Sequence, residues 1–487
     1  VKDALKQAEQ SGAGPVVVWF RQDLRLTDNP ALAAAVESGR PIIPLYVLDQ
    51  TAAPLGGASL WWLDKSLASL DASLQALGSR LILRRGDPAN QIGEIIATTG
   101  AEAVVWNRLY DKHSVTQDSA LKSDLCADGV EARSFDGGLL VEPWTVRSGS
   151  GEPYKVFTPF WRAARSVLVD RPVFPSPGDL VAPATWPDGE ALADWGLQPT
   201  SPDWSTGFGF WRPGEDGASA LLAGFLGGPV KAYADERNLP GVEGTSRLSP
   251  HLHFGEIGPR QVWRAVVAAM EAGHAPADQA AKFLAELGWR EFNHHLLFHW
   301  PDLPTANFKP DFDRFVWRDD PAALKAWQTG QTGYPIVDAG MRELWATGFM
   351  HNRVRMIVAS FLIKHLMIDW REGEAWFRDT LVDADIAQNA ANWQWVAGSG
   401  ADASPWFRIF NPITQGEKFD PDGVYVRRWC PELAKLPGDA IHQPWTASEG
   451  RLVAAGVRLG RTYPHPIVDH AAARARALDA YAAVKAA

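Results

Sequence analysis

The feature that most constrains this chain is a change of hydrophobic period part-way along it. Over roughly the first 140 residues, short apolar runs at Val16–Phe20, Ile42–Leu48, Leu81–Leu83, Ala103–Trp106 and Ala132–Phe135 are separated by helical patterns. The clearest of these places Leu63, Leu67, Leu70, Leu74 and Leu77 at spacings of four, three, four and three, which is one face of a helix. Strands separated by helix-length crossovers pair in parallel, and a parallel sheet needs cover on both faces. Beyond about Glu215 strand signals nearly vanish. There Gln261–Glu271, Ala280–Phe298, Met341–Ala346, Asn352–Ile368 and Glu374–Leu381 read as helices by period. The expected fold class is an α/β N-terminal domain (a five-stranded, doubly wound parallel sheet) followed by a larger all-α C-terminal domain.

Between the two halves, from Val141 to Gly214, periodicity dissolves among prolines. Trp186, Trp195, Trp204 and Trp211 make this stretch too aromatic for disorder, so it is expected to lie across the domain surfaces. The expected organisation is a tail at 1–14, an α/β domain at 15–140, a linker at 141–214 and a helical domain at 215–487. A length of 487 residues suits two or three domains. No run reaches the ~18 apolar residues of a membrane span. The first fourteen residues lack the apolar segment of a secretory signal. Cys126 and Cys430 are the only cysteines, which excludes a disulfide scaffold, a zinc ribbon and a four-cysteine iron–sulfur cluster. A reducing, cytoplasmic setting is expected, and no membrane partner.

Some motifs mimic chemistry without supporting it. Gly398-Ser399-Gly400-Ala401-Asp402-Ala403 fits a dinucleotide fingerprint but follows a helical segment, where that turn has no strand to serve. His295 and His299 lie four apart on one helix but lack a third ligand at usable spacing, so no metal is expected. No Walker-type phosphate loop and no Gly-x-Ser-x-Gly elbow is present.

Other clusters are more telling. Thr245, Ser246 and Ser249 converge with Arg247 just before Pro250, with Ser249 expected as a helix N-cap and the whole suited to an anion such as a diphosphate. Asp383, Asp385, Asn389, Asn392, Trp393 and Trp395 lie within thirteen residues, a set able to bond the polar edge of a planar heterocycle. Asn352 and Met356 share a helix face, as do Glu286 and Trp289.

Taken in order, these segments resemble the photolyase/cryptochrome family. The resemblance runs through Val17-Val-Trp-Phe-Arg21-x-Asp23-Leu-Arg25-Leu-x-Asp28-Asn29, Glu243-Gly-Thr245-Ser246-Arg-Leu-Ser249-Pro and Trp289-Arg-Glu-Phe. It continues through Thr332-Gly-x-Pro335-x-Val-Asp338-Ala-x-Met341-Arg342, Met350-His-Asn352-Arg353-x-Arg355-Met356, Asp383-x-Asp385-x-Ala-x-Asn389 and Pro405-x-Phe-Arg408-Ile-Phe-Asn411. Within the family the pattern is most similar to bacterial cyclobutane-dimer photolyases, class III among them.

The resemblance implies FAD in the helical domain, reduced and anionic when active. By position, Tyr233, Thr245, Ser246, Leu248 and Ser249 would contact its phosphates. Arg290 and Asn352 would line its cavity. Arg355 and Asp383 would pair beside the ring, Asp385 would bond its polar edge and Asn389 would face N5. Trp393, Trp370 and Trp317 would carry electrons in from the surface.

The implied reaction is light-driven repair of cyclobutane pyrimidine dimers in duplex DNA, catalysed by a monomer. A dimer must leave the duplex to meet a buried flavin. Trp289 and Trp395 would wall it with Met356 beneath, and Glu286 would bond its carbonyl. Arg237, Arg353 and Arg408 would hold DNA phosphates. Net charge is −10, so the basic face must be local, and Arg342, Arg353, Arg355, Lys364 and Arg371 outnumber acids in one stretch. Asn352 and Met356 stand where reversal of a (6-4) product would need a histidine. His351 is one residue away and, by helix geometry, would point about 100° aside. The alternative implied is a cryptochrome, a flavin photoreceptor without repair, against which the lesion-side residues and the lack of a long extension after His470 argue. A second, antenna chromophore is expected, methenyltetrahydrofolate favoured over deazaflavin, with Asn107 and Glu37 as contacts.

Overall fold

The computed structural model describes residues 14–402 and 407–486. Most of the tail expected at 1–14, and Ala403 and Pro405 of the motifs above, lie outside the described residues. Strands β1 (Val16–Phe20), β2 (Ile42–Asp49), β3 (Ile82–Gly86), β4 (Ala103–Asn107) and β5 (Glu131–Phe135) form one sheet in the order β3-β2-β1-β4-β5, every pair parallel. Four helices, α1 (Pro30–Glu37), α2 (Gly57–Ala76), α3 (Pro88–Thr99) and α4 (Lys112–Ala127), make the crossovers. The central strand β1 shows why this segment reads as a continuous apolar run. Val16, Val18 and Phe20 enter the core under α2, while Val17 and Trp19 enter the core on the opposite face.

The connector contains one regular helix that periodicity misses, α5 (Phe157–Val167). Pro159 falls in its first turn, where no N–H partner is lost, so the proline does not break it. Elsewhere the connector lies across both halves: the Trp211 indole donates to the Thr347 carbonyl (2.9 Å) and Arg260 to the Val169 carbonyl (2.6 Å). The Ile42 N–H donates to the Val181 carbonyl (2.8 Å), and Trp195 and Trp211 are buried in the same core as α2.

Polar clips join the connector and the two halves. Arg25, 1% exposed, donates to the carbonyls of Thr27, Asp28, Gly137 and Gly255. Glu256 accepts from the Trp62 indole (3.0 Å) and the Gly214 N–H (2.7 Å) and pairs with His251. Glu291 accepts from the N–H groups of Leu140 and Val141. Such buried groups are satisfied only when the halves are docked, so they fix the seam.

The helical half is built on α6 (Ala277–His299), α7 (Pro335–Thr347), α8 (Asn352–Ser360), α9 (Trp370–Thr380), α10 (Ile386–Ala397) and α11 (His470–Ala486). The helix expected over Asn352–Ile368 changes character: after Ser360 the chain widens into a π-helical stretch, Phe361–Leu366, and stops at Met367 with φ 56°. The decoy Gly398 is the left-handed C-cap of α10 (φ 97°), which glycine adopts without Cβ strain. His295 is spent on the Tyr154 N–H and the Pro143 carbonyl. Among the described residues no cluster of His, Cys, Asp or Glu could hold a metal. None of their helices is long and apolar enough to cross a membrane.

Candidate functional site

A cavity of about 500 Å3 opens in the helical half, within the size range of cofactor pockets. Its walls come from the Thr245–Ser249 segment, α6, α8 and α10. Tyr233, Thr245, Ser246, Leu248, Ser249, Arg290, Asn352, Arg355, Asp383, Asp385 and Asn389, assigned to the cofactor by resemblance, all line it. So do Arg237, Glu286, Trp289, Arg353, Met356, Trp393 and Trp395. Arg408, Trp370 and Trp317 are not part of this wall. Arg408 is exposed on the segment after the undescribed residues, while Trp370 is buried and Trp317 half-buried away from the cavity.

The details differ from expectation in several places. Ser249 is not an N-cap: Leu248 holds that position, and Ser249 is the first residue of a short helix, Ser249–His253, with Pro250 second. Arg247 precedes it with φ 52°. Arg237 is not a free cation, because it pairs with Glu286 inside the cavity and that carboxylate raises its pKa against the cost of burial. The basic stretch is also largely spent: Arg342 is bound to Glu432 (2.7 Å), Arg355 to Asp383 (2.9 Å) and Arg371 to Asp369 (3.0 Å), and Lys364 is buried. Arg353 and Lys364 have no carboxylate partner among the described residues; Arg353 is held by the Asn238 side-chain oxygen (2.8 Å) and Lys364 by the Arg408 carbonyl (2.6 Å). The pKa of Arg353 is lowered by burial and by the nearby charges of Arg237 and Arg408. His351 does not point aside: it caps α8, its Nδ1 accepting the Arg353 N–H (3.2 Å), and it lines the cavity.

Asp385 and Asn389 both sit on the cavity side of α10. The Asp385 carboxylate caps α10 by accepting the Gln388 N–H (2.9 Å). Burial works against its charge, but His294 and His253 hold its pKa well below the usual carboxylate range. Asn389 donates to the carboxylate (2.8 Å) and carbonyl (3.1 Å) of Glu374, a partner on α9 that sequence reasoning missed. Burial raises the Glu374 pKa. Phe157, also missed, lies against Trp289 at 3.8 Å between ring centres and 8° between planes. Trp393 rests on Gly373 of α9, where a Cβ would come within 2.1 Å of its ring. Asn107 is not open to a chromophore: it is buried, its amide donating to Asp23 (2.6 Å) and Asn29 (2.7 Å).

Two wall atoms bear directly on what fills the cavity. Asp383 Oδ1 and Trp393 Nε1 are buried without a partner among the described residues, as expected of groups waiting for a polar ligand. A paired arginine and carboxylate, hydroxyls near Arg247 and amides along α10 match a flavin dinucleotide, phosphates at one end and ring edge at the other.

Comparison with known proteins agrees. Residues 283–483 match the family described as the FAD binding domain of DNA photolyase, and residues 16–178 match DNA photolyase. A deoxyribodipyrimidine photo-lyase of Agrobacterium fabrum is 57% identical over 97% of this chain and 98% of its own. Cryptochrome-1 of Arabidopsis thaliana is 40% identical over 96% of this chain and 70% of its own. A bacterial class III photolyase structure from Agrobacterium tumefaciens superposes with a TM-score of 0.95 at 56% identity, covering 98% of both chains. The chain belongs to the photolyase/cryptochrome family, and its helical half is an FAD-binding domain.

Proposed function

We propose that this protein repairs cyclobutane pyrimidine dimers in duplex DNA, using light. The observation that carries the reading is that the cofactor-side residues (Arg355, Asp383, Asp385, Asn389) and the lesion-side residues (Glu286, Trp289, Asn352, Met356, Trp395) line one continuous cavity. FAD held by these residues would, when fully reduced, supply the photo-driven electron for splitting the ring and take it back afterwards.

The chain's own groups bind and orient. Trp289 and Trp395 offer aromatic walls to a flipped-out dimer, with Met356 as a polarizable contact. Glu286, fixed by its pairing with Arg237, is an acceptor and so meets a ring N–H of the dimer, not its carbonyl as the resemblance implied. Asp385 and Asn389 would hold the polar edge and N5 side of the flavin, and Arg355 neutralises Asp383 in the same wall. Arg353 and Arg408 take phosphates on either side of the lesion. The protein acts as a monomer in the cytoplasm. A second chromophore, methenyltetrahydrofolate, is assigned to the α/β domain, with exposed Glu37 at the end of α1 as its remaining contact.

The test is to illuminate the reduced protein with DNA carrying a defined cyclobutane dimer and to analyse the product by chromatography. Restored pyrimidines, dependent on light, are expected. No repair with flavin shown to be fully reduced would refute the proposal. The absorption spectrum of the purified protein tests the antenna: folate adds near-ultraviolet absorbance in excess of the flavin's own band.

A further inference from the structure

Asp385, His253 and Arg290 border the main cavity and also a second, smaller one of about 40 Å3. The rest of the small chamber includes Gln22, Arg108 and Tyr110 from the α/β domain and His294 from α6. Gln22 and Arg108 lie just past the carboxyl ends of β1 and β4, the neighbouring strands where the sheet order reverses. Open parallel sheets receive polar ligands at that place.

The chamber is lined by orphans. Both ring nitrogens of His253, both of His294 and the Tyr110 hydroxyl are buried with no hydrogen-bond partner among the described residues. Asp385 Oδ2 stands 3.4 Å from His294 Nε2 and 3.8 Å from His253 Nδ1, near enough for charge but long for direct hydrogen bonds. Dry, this arrangement would leave each group with an uncompensated desolvation cost. The volume exceeds the roughly 10–15 Å3 that one water needs, and the polar lining gives such water several partners.

Most charges nearby are paired, with Asp111 of the chamber wall the exception: its carboxylate caps α4, accepting the Ser114 N–H (3.0 Å). Arg290 pairs with Glu291 (3.4 Å), Arg108 with Glu142, and Arg355 with Asp383 (2.9 Å). Asp385 faces the two imidazoles and has no arginine or lysine paired to it among the described residues. A lone carboxylate at the flavin's polar edge would oppose reduction, because reduction to the anionic form places negative charge on the ring.

We propose that the chamber is an internal-water site through which His253 and His294 act as positioning residues, their hydrogen bonds to that water spreading the charge of Asp385 so that this carboxylate can face an anionic flavin. This rests on the assignment of Asp385 to the cofactor's polar edge. Asp385 then orients the flavin without penalising its reduced state, and Tyr110 ties the network to the α/β domain.

The experiment measures the midpoint potential of bound FAD in the holoprotein for wild type, His253→Asn, His294→Asn, the double variant and Asp385→Asn. The histidine variants are expected to lower the potential, the double variant most, and Asp385→Asn to raise it. An unchanged potential in the double variant, with Asp385→Asn still shifting it, overturns the inference but not the reading of Asp385. An unchanged potential in Asp385→Asn overturns that reading. A high-resolution crystal structure of the wild-type holoprotein provides the second measurement, whatever the variants do on folding. Ordered water bridging Asp385, His253, His294 and Tyr110 supports the inference, and a dry chamber overturns it.

Discussion

The indole of Trp289 lies flat on the ring of Phe157, 3.8 Å between centres. One face of the proposed lesion wall is thereby taken, and the remaining face is the one that can meet a pyrimidine. Trp289→Ala is expected to weaken binding to dimer-containing DNA by about 1–3 kcal/mol and to leave undamaged DNA nearly unaffected. Phe157→Ala, which removes the backing and not the wall, should give a smaller loss of the same kind. Parallel affinity measurements on damaged and undamaged duplexes decide it: equal losses on both would show that Trp289 does not contact the lesion.

Electron supply is expected to run through Trp393, which faces the cavity and rests on Gly373, one helical turn from Trp370 on α9. Trp393→Phe should abolish photoreduction of oxidised FAD while sparing repair by chemically reduced protein. Flash photolysis and a repair assay separate the two. Photoreduction at the wild-type rate would exclude this residue as the first carrier.

How much of this was legible in the sequence follows from how far apart the partners lie. Asp383, Asp385 and Asn389 could be read together because one helix start gathers them. The sheet could be read because its period is local. Glu374 and Phe157 could not, since each reaches its partner across the fold, from another helix or from the connector. The same distance misled the charge count: Arg342 finds Glu432 only after folding, so most of the arginines in that run are already paired. His351 was misread for a different reason. It caps α8 and lies outside the helix proper, so helical angles do not govern its side chain.

Lys364 is 2% exposed and donates to the Arg408 carbonyl at 2.6 Å. Burial, with the charge of Arg408, pushes its pKa down to about 7. Arg408→Ala should weaken binding to damaged and undamaged DNA alike and lower the salt dependence by roughly one phosphate. Lys364→Met, which frees the Arg408 backbone, should reproduce that phenotype in part. Salt titrations of DNA affinity read both. An unchanged salt slope in Arg408→Ala would remove it from the phosphate contacts.

Three buried histidines predict how acid unfolds the protein. Burial, chiefly, holds His295 and His351 down to about 4 and His365 to about 3, against 6.5 unperturbed. Between those values the unfolded chain binds protons that the folded one refuses, so acidification favours unfolding. Stability should be intact above about pH 6.5 and fall steeply toward pH 4, each histidine contributing a few kcal/mol at most. Denaturant midpoints across that range measure it. His365→Gln should flatten the slope, and a midpoint independent of pH in this window would contradict the burial of these rings in neutral form.

The choice of lesion turns on His351. Splitting a cyclobutane ring needs an electron out and back, whereas reversing a (6-4) product also moves a hydroxyl between bases and calls for a general acid. His351 does line the cavity, so direction alone does not disqualify it. Its chemistry does. Burial and the charges of Arg355, Arg353, Arg237 and Arg247 press its pKa down to about 4, and its Nδ1 is occupied by the Arg353 N–H. Near neutral pH it is an unprotonated imidazole among arginines, unable to serve as an imidazolium acid. Asn352 and Met356, on the adjoining face of α8, cannot donate a proton in its place. The expected outcome is light-dependent repair of cyclobutane dimers and no detectable reversal of (6-4) products at neutral pH. Chromatography of each defined lesion after illumination with reduced protein tests it, and efficient (6-4) reversal would show that a proton donor reaches this cavity after all.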